Sequence, residues 1–231
     1  MNKKRSYSKK LYIILSVIVF SLAVTFIDAV VRPPYFSKIP IKVIFFLALP
    51  MLFFVIWREE WDGFRKLFRF RKNGLWVAIL LGIAVFGVIL GGYFLLRGVI
   101  DFSSVTSSLG KNMGITAKNF LWVALYISIM NSFLEEFFFR GFGFITLKKH
   151  MHKSFAYLFG PILFAVYHVG MLFGMFEPAA LILLMFGLIV GGLIFNALND
   201  KFGNIYPSWF VHMAANFAIN TIGFILFGIV E

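Results

Sequence analysis

The chain contains no cysteine. Disulfides, thiolate metal ligands and a cysteine nucleophile are thereby excluded. Acidic residues are nearly as scarce: ten Asp and Glu stand against 22 Lys and Arg in 231 residues, and charged residues make up only 14% of the whole. A soluble domain of this size carries about 25%. There is no HExxH zinc helix, no GxSxG nucleophile turn and no pair of aspartates inside an apolar run. Alternating strands of about ten residues are missing too, which removes a membrane barrel. What fills the space is apolar: 61% of residues are hydrophobic, with 32 Phe. Several stretches of about 20 residues are almost uncharged, enough to cross a hydrocarbon layer of about 30 Å. The expected fold is therefore an all-α polytopic bundle of about seven membrane-spanning helices, near 11–31, 41–57, 75–98, 119–147, 154–175, 179–198 and 202–228.

A net charge of +12 invites a nucleic-acid reading, and the placement of the charge argues against it. With the N-terminus set in the cytoplasm, 16 of the 22 Lys and Arg fall on the inner side and 6 on the outer, counting Arg32, Lys38 and Lys42 with the outer group. That bias is a topology signal, with contact to anionic lipid as its second role. No nucleic-acid partner is expected. "MNKKRSYSKK" opens like a signal peptide, but the apolar run behind it is longer than an h-region and lacks a small-residue cleavage site, so it reads as a retained first helix. Residues 1–10 then form a basic cytoplasmic tail, 11–118 an N-terminal membrane region, and 58–74 ("REEWDGFRKLFRFRKNG") an amphipathic helix on the inner surface. Gly87 with Gly91, Gly170 with Gly174 and Gly187 with Gly191 have the four-residue spacing of close helix packing. Gly160-Pro161 is expected to kink or restart the fifth span.

Most acidic residues lie at expected interfaces, Asp28, Glu60 and Asp200 among them, whereas Glu135 and Glu136 sit deep in an apolar run. His150 and His152 fall in the basic stretch "KKHMHKS" and read as solvated, while His168 and His212 lie inside spans five and seven. An ionisable group within the membrane costs about 2.5–3.5 kcal/mol on insertion scales and points to function. At the α-helical rise, Glu135, His168 and His212 stand about 18, 21 and 16 Å from the inner ends of their spans, which brings them to a common level. Glu136 and Arg140 are i, i+4 and can pair within one helix, leaving Glu135 about 100° away to face a neighbour. Phe164 with His168, and His212 with Asn216, have the same i, i+4 relation.

One carboxylate, two imidazoles and one carboxamide suit amide hydrolysis. Glu135 can take a proton from water, His168 can hold that water, and His212 with Asn216 can donate to an oxyanion. Glu135, His168 and His212 are equally a possible zinc triad, so the residues leave a metal-free and a metal-bound water both open. A proton-coupled transporter using a Glu and His relay is the competing reading, although the inverted repeat it predicts is not seen. A non-proteolytic immunity or scaffold protein is the third. Asn131, Ser132, Trp209 and Asn220 either line the cavity or simply pack.

"EEFFFR" (Glu135 to Arg140), "FAVYH" (Phe164 to His168) and "HMAAN" (His212 to Asn216) resemble the EExxxR, FxxxH and HxxxN motifs of the CAAX protease and bacteriocin-processing family, which includes the type II CAAX prenyl endopeptidases. The resemblance covers roughly 119–220. It implies an intramembrane endopeptidase core over 119–228, with Glu135, His168, His212 and Asn216 catalytic, and Glu136, Arg140 and Phe164 in support. It also implies a hydrophobic or membrane-associated peptide substrate and a water activated by glutamate without a required cofactor, a divalent metal such as zinc being the alternative. The short chain and the absence of eukaryotic targeting features point to a multi-pass place in a bacterial cell membrane.

Overall fold

The computed structural model describes residues 3–230; Met1 and Asn2 of the expected basic tail, and Glu231, lie outside the described residues. Among those described there is no strand, and seven helices are long and apolar enough to cross a membrane. They run Arg5–Val31, Tyr35–Ile56, Lys72–Leu96, Phe120–Lys149, Lys153–Leu172, Pro178–Phe202 and Tyr206–Leu226, and are called spans one to seven below. The expected order and number hold. Two boundaries move in ways that matter. The first helix starts at Lys3 and runs through the basic segment, burying Lys9. Span two begins at Tyr35 rather than 41, so Lys38 and Lys42 belong inside it and not to an outer loop.

Span four is the axis of the bundle. Its window is 56% buried, against 39% or less in every other span. The reason is aromatic. Phe137, Phe138, Phe139, Phe142 and Phe144 are all fully enclosed. Phe138 stacks on Phe46 at 4.4 Å, Phe142 meets Phe53 edge-on at 5.6 Å, and Phe144 meets Tyr157 at 4.7 Å. Lipid is as apolar as these rings, so burial alone does not drive their association. Directional ring pairs, each worth about 0.5–1.5 kcal/mol, supply what the hydrophobic effect cannot.

From Glu136 to Thr146 this span is a π-helix, and a shorter π segment at Ile127–Asn131 precedes Glu135. Turns closed over five residues are wider and rise less than α turns, so the α-helical depth for Glu135 is too long. The extra carbonyl exposure is used. Trp209, Asn216 and Asn220 on span seven donate to the carbonyls of Ile129, Ile127 and Ala124 at 3.1, 3.2 and 3.2 Å.

Proline and glycine behave differently from expectation. Pro161 lies inside one continuous helix and restarts nothing. It cannot bond the carbonyl of Tyr157, four residues back, and Asn196 of span six donates to that oxygen at 3.0 Å instead. A side chain on Gly170 would collide with the Thr25 backbone of span one, so close packing is real there. Gly87, Gly91, Gly187 and Gly191 meet nothing within 4 Å, so their spacing packs no helices.

The amphipathic segment is also shorter than 58–74. A single turn at Arg58–Glu60 leads into a helix at Trp61–Leu67, which breaks before a second turn at Lys72–Gly74. Trp61, Phe64 and Phe68 lie on the core, with Phe64 and Phe68 against Phe137 at 6.1 and 5.7 Å. Around this segment the basic ends are tied by charge. Glu60 accepts from Lys9 at 2.6 Å and Lys149 at 3.2 Å, and His150 stands 3.2 Å away. His150 is thus enclosed, not solvated: its side chain is 1% exposed. Burial pushes its imidazole below the ordinary value against the pull of Glu60. Burial also raises Glu60, but Lys9 and Lys149 outweigh it and hold the carboxyl below its usual range. Asp200 gathers Lys148, Lys153 and Tyr157 in the same way.

Candidate active site

The three motifs meet where span four passes spans five and seven. Glu135 and Glu136 are adjacent on span four and turn to different partners. Glu136 is fully enclosed. It accepts from Ser208 at 2.5 Å and from His212 Nδ1 at 3.0 Å, and it lies 3.4 Å from Arg140. The i, i+4 ion pair read from the sequence is therefore present, though not alone. Arg140 makes no hydrogen bond through any of its three side-chain nitrogens. Its guanidinium lies over Phe164 at 4.1 Å and Phe195 at 5.0 Å, and those rings supply the attraction that hydrogen bonds do not.

Glu135 is 1% exposed and uses its two oxygens unequally. Oε1 accepts from Asn131 Nδ2 at 2.6 Å and from the Tyr167 hydroxyl at 2.9 Å. Oε2 faces His212 Nε2 at 3.6 Å, too long for a direct hydrogen bond. Lys42 of span two stands 4.0 Å from Oε1 and bonds both Asn131 and Tyr167.

The imidazoles are oriented through their Nδ1 atoms. His168 Nδ1 bonds the Phe164 carbonyl one turn back at 2.7 Å; a carbonyl only accepts, so that nitrogen carries the proton and Nε2 keeps its lone pair. His212 Nδ1 points to the Glu136 carboxylate, which also only accepts, so Nε2 again is the working nitrogen. Phe195 stacks on the His212 ring at 5.3 Å and Phe164 meets it edge-on at 5.7 Å. His168 is not hydrogen-bonded to Glu135 or His212 among the described residues; the Phe164 ring contacts both imidazoles, 4.6 Å from His168 and 5.7 Å from His212.

The structure thus brings Glu135, His168 and His212 together. Asn216 is half-buried, with one N–H given to the Ile127 carbonyl and the other free of that bond. Of the residues left open between lining and packing, Asn131 joins Glu135 directly. Ser132, Trp209 and Asn220 instead fasten spans four and seven, with Trp209 Nε1 on Ser132 at 3.0 Å. Sequence reading missed Lys42, Tyr167 and Ser208. Tyr167 is the residue before His168, and Ser208 is i−4 to His212, so helical spacing already pointed at Ser208. Lys42 was missed because it was counted with the outer charges, although it falls inside the expected second span.

Among the described residues no group of three or more His, Cys, Asp or Glu is arranged to hold a metal ion. Glu135 Oε1 is satisfied by two donors and each imidazole has its Nδ1 committed, which leaves Oε2 and the two Nε2 atoms as the lone pairs turned to water or a metal.

Residues 117–218, which contain all three motifs, match the family profile described as type II CAAX prenyl endopeptidase Rce1-like. Over that segment, a little under half of the chain, the sequence is similar to the CAAX protease family. No curated protein and no solved structure matches the chain. The family match ends within span seven and leaves spans one to three outside it, Lys42 included.

Proposed function

We propose that the chain hydrolyses a peptide bond of a hydrophobic or membrane-associated substrate, with Glu135 as the general base and no metal. The carrying observation is the asymmetry of Glu135, whose Oε1 is anchored by two donors while Oε2 faces an imidazole across 3.6 Å. Water seated between Oε2 and the lone pair of His168 Nε2 loses a proton to Glu135 as its oxygen attacks the carbonyl carbon. The negative oxygen of the tetrahedral intermediate receives hydrogen bonds from His212, aligned by Glu136, and from the remaining N–H of Asn216. To donate from Nε2 while Nδ1–H serves Glu136, His212 acts as the imidazolium, with a carboxylate on either side. Glu135 then returns the proton to the departing amine nitrogen as the C–N bond breaks, leaving an acid and an amine. Enclosure favours each step, since charge is stabilised by fixed dipoles rather than by mobile water.

The proposed orientation puts the N-terminus in the cytoplasm of a cell membrane. The burial of Lys9, Lys38, Lys42 and Arg140 takes them out of the charge tally, and the excess of basic residues on the N-terminal side remains.

The test is cleavage of a tagged membrane peptide by purified protein. Glu135→Gln keeps the size and hydrogen-bonding reach of the side chain and removes the base. A folded variant with cleavage reduced by about 10²–10⁴ is expected. Normal cleavage would show that Glu135 is not the base.

A further inference from the structure

None of the three motifs explains why Glu135 presents one oxygen and not the other. We propose that Lys42 is the positioning residue that sets this choice, by fixing the direction of both hydrogen bonds that anchor Oε1. The proposal rests on Glu135 as the base and adds a residue from span two, outside the family match.

Lys42 is buried, and its ammonium has three protons and no acceptor. It donates to Asn131 Oδ1 at 2.9 Å and to the Tyr167 hydroxyl oxygen at 2.5 Å. Each bond removes an ambiguity. A carboxamide can present oxygen or NH2 to a neighbour. Lys42 can only be met by the oxygen, so the NH2 of Asn131 must turn to Glu135, where it donates at 2.6 Å. A phenol can donate or accept. With its oxygen accepting from Lys42, the one proton of Tyr167 is left for Glu135, at 2.9 Å. Both donors then converge on the same atom, Oε1, and Oε2 is the oxygen that remains for water.

The surroundings hold Lys42 to this task. Lys38, one turn earlier, is occupied by Asp28 at 2.6 Å and does not compete. The ammonium also lies over the Tyr167 ring, 5.2 Å from its centroid, and Phe46 packs edge-on to that ring at 5.3 Å. At 4.0 Å from Oε1, Lys42 is the cation nearest the anchored oxygen, and it balances the carboxylate without touching Oε2. Removing it would free the amide to turn over and the phenol to rotate.

The full chain, purified and supplied with one tagged membrane peptide, tests this with Lys42→Met, which keeps length and loses both donated bonds. Lys42 acts through Glu135 and not on substrate, so kcat should fall roughly 10- to 100-fold with KM within about twofold. In a background of Asn131→Leu with Tyr167→Phe, which has no donors to orient, adding Lys42→Met should cost little more. A merely structural lysine would add the same loss in both backgrounds, and that additivity overturns the proposal. If Lys42→Met does not fold, Tyr167→Phe carries the test, because it removes one anchor and keeps the ammonium. A lowered kcat at constant KM then supports the inference, and an unchanged kcat overturns it. Glu135→Gln measured alongside separates the two readings. Cleavage by that variant removes the base and this inference with it. An inactive Glu135→Gln beside a fully active Lys42→Met removes Lys42 alone.

Discussion

Replacing Glu136 by Gln changes one atom and one charge at the most enclosed point of span four. Three groups depend on that carboxylate: Ser208 at 2.5 Å, His212 Nδ1 at 3.0 Å and Arg140 at 3.4 Å. A carboxamide has one accepting oxygen, so it can serve Ser208 or His212, and the other meets an NH2. Arg140 fares worse, since it has no hydrogen bond elsewhere and would keep only its ring contacts. Breaking one side of a buried pair costs about 3–5 kcal/mol. For a chain of this length each kcal/mol moves the melting temperature by about 2–4 °C, so a fall of roughly 6–20 °C is expected. Adding Arg140→Met removes the stranded cation and should recover much of that fall. Activity is a separate matter, because the double variant still lacks the carboxylate that orients His212. Thermal unfolding in detergent, read beside cleavage, separates the two effects. An unchanged melting temperature in Glu136→Gln would refute the energetic argument. Full activity in the double variant would refute the orienting role and reduce Glu136 to a counter-ion.

A strong chelator is expected to leave cleavage intact; loss of activity that zinc alone restores would reverse the metal-free proposal. At the basic end, Glu60 is held below the ordinary carboxylate value, so its contribution is present above about pH 4.3 and fades as pH falls through the folded value. His150, lowered by burial, acts in the same direction: its contribution is full above about pH 6.5 and declines as pH falls through its folded value. Melting temperature should therefore fall from pH 7 towards 5 through His150, and again below about pH 4.3 through Glu60. Glu60→Gln should lower it at pH 7 and remove the second fall, and an equally steep fall below about pH 4.3 in the variant would count against Glu60. Asn196→Leu leaves the Tyr157 carbonyl unpaired, at a cost of about 1–3 kcal/mol. Restoring an N–H with Pro161→Ala should return part of it, and a double variant no more stable than the single would show that the two are not linked.

Patterns that depend on local spacing were legible in the chain. Long uncharged runs set the number of spans, because length and hydropathy are the membrane's own selection rules. The i, i+4 relation of Glu136 to Arg140 foretold their contact, and it survives even in a π-helix. The shared depth of Glu135, His168 and His212 foretold a meeting point, although the α-helical rise behind it was not the one span four uses. Tertiary structure alone decided the rest, and for one physical reason: the meaning of a charge in an apolar run depends on what faces it. Lys42 looks like a loop residue until Asn131 and Tyr167 are placed beside it. His150 looks solvated until Glu60 arrives from the segment between spans two and three. Gly170 and Gly187 share a spacing pattern, yet only Gly170 has a backbone pressed against it. Sequence named the candidate groups; the packing of spans two, four, five and seven determined which oxygen of Glu135 is left without a donor.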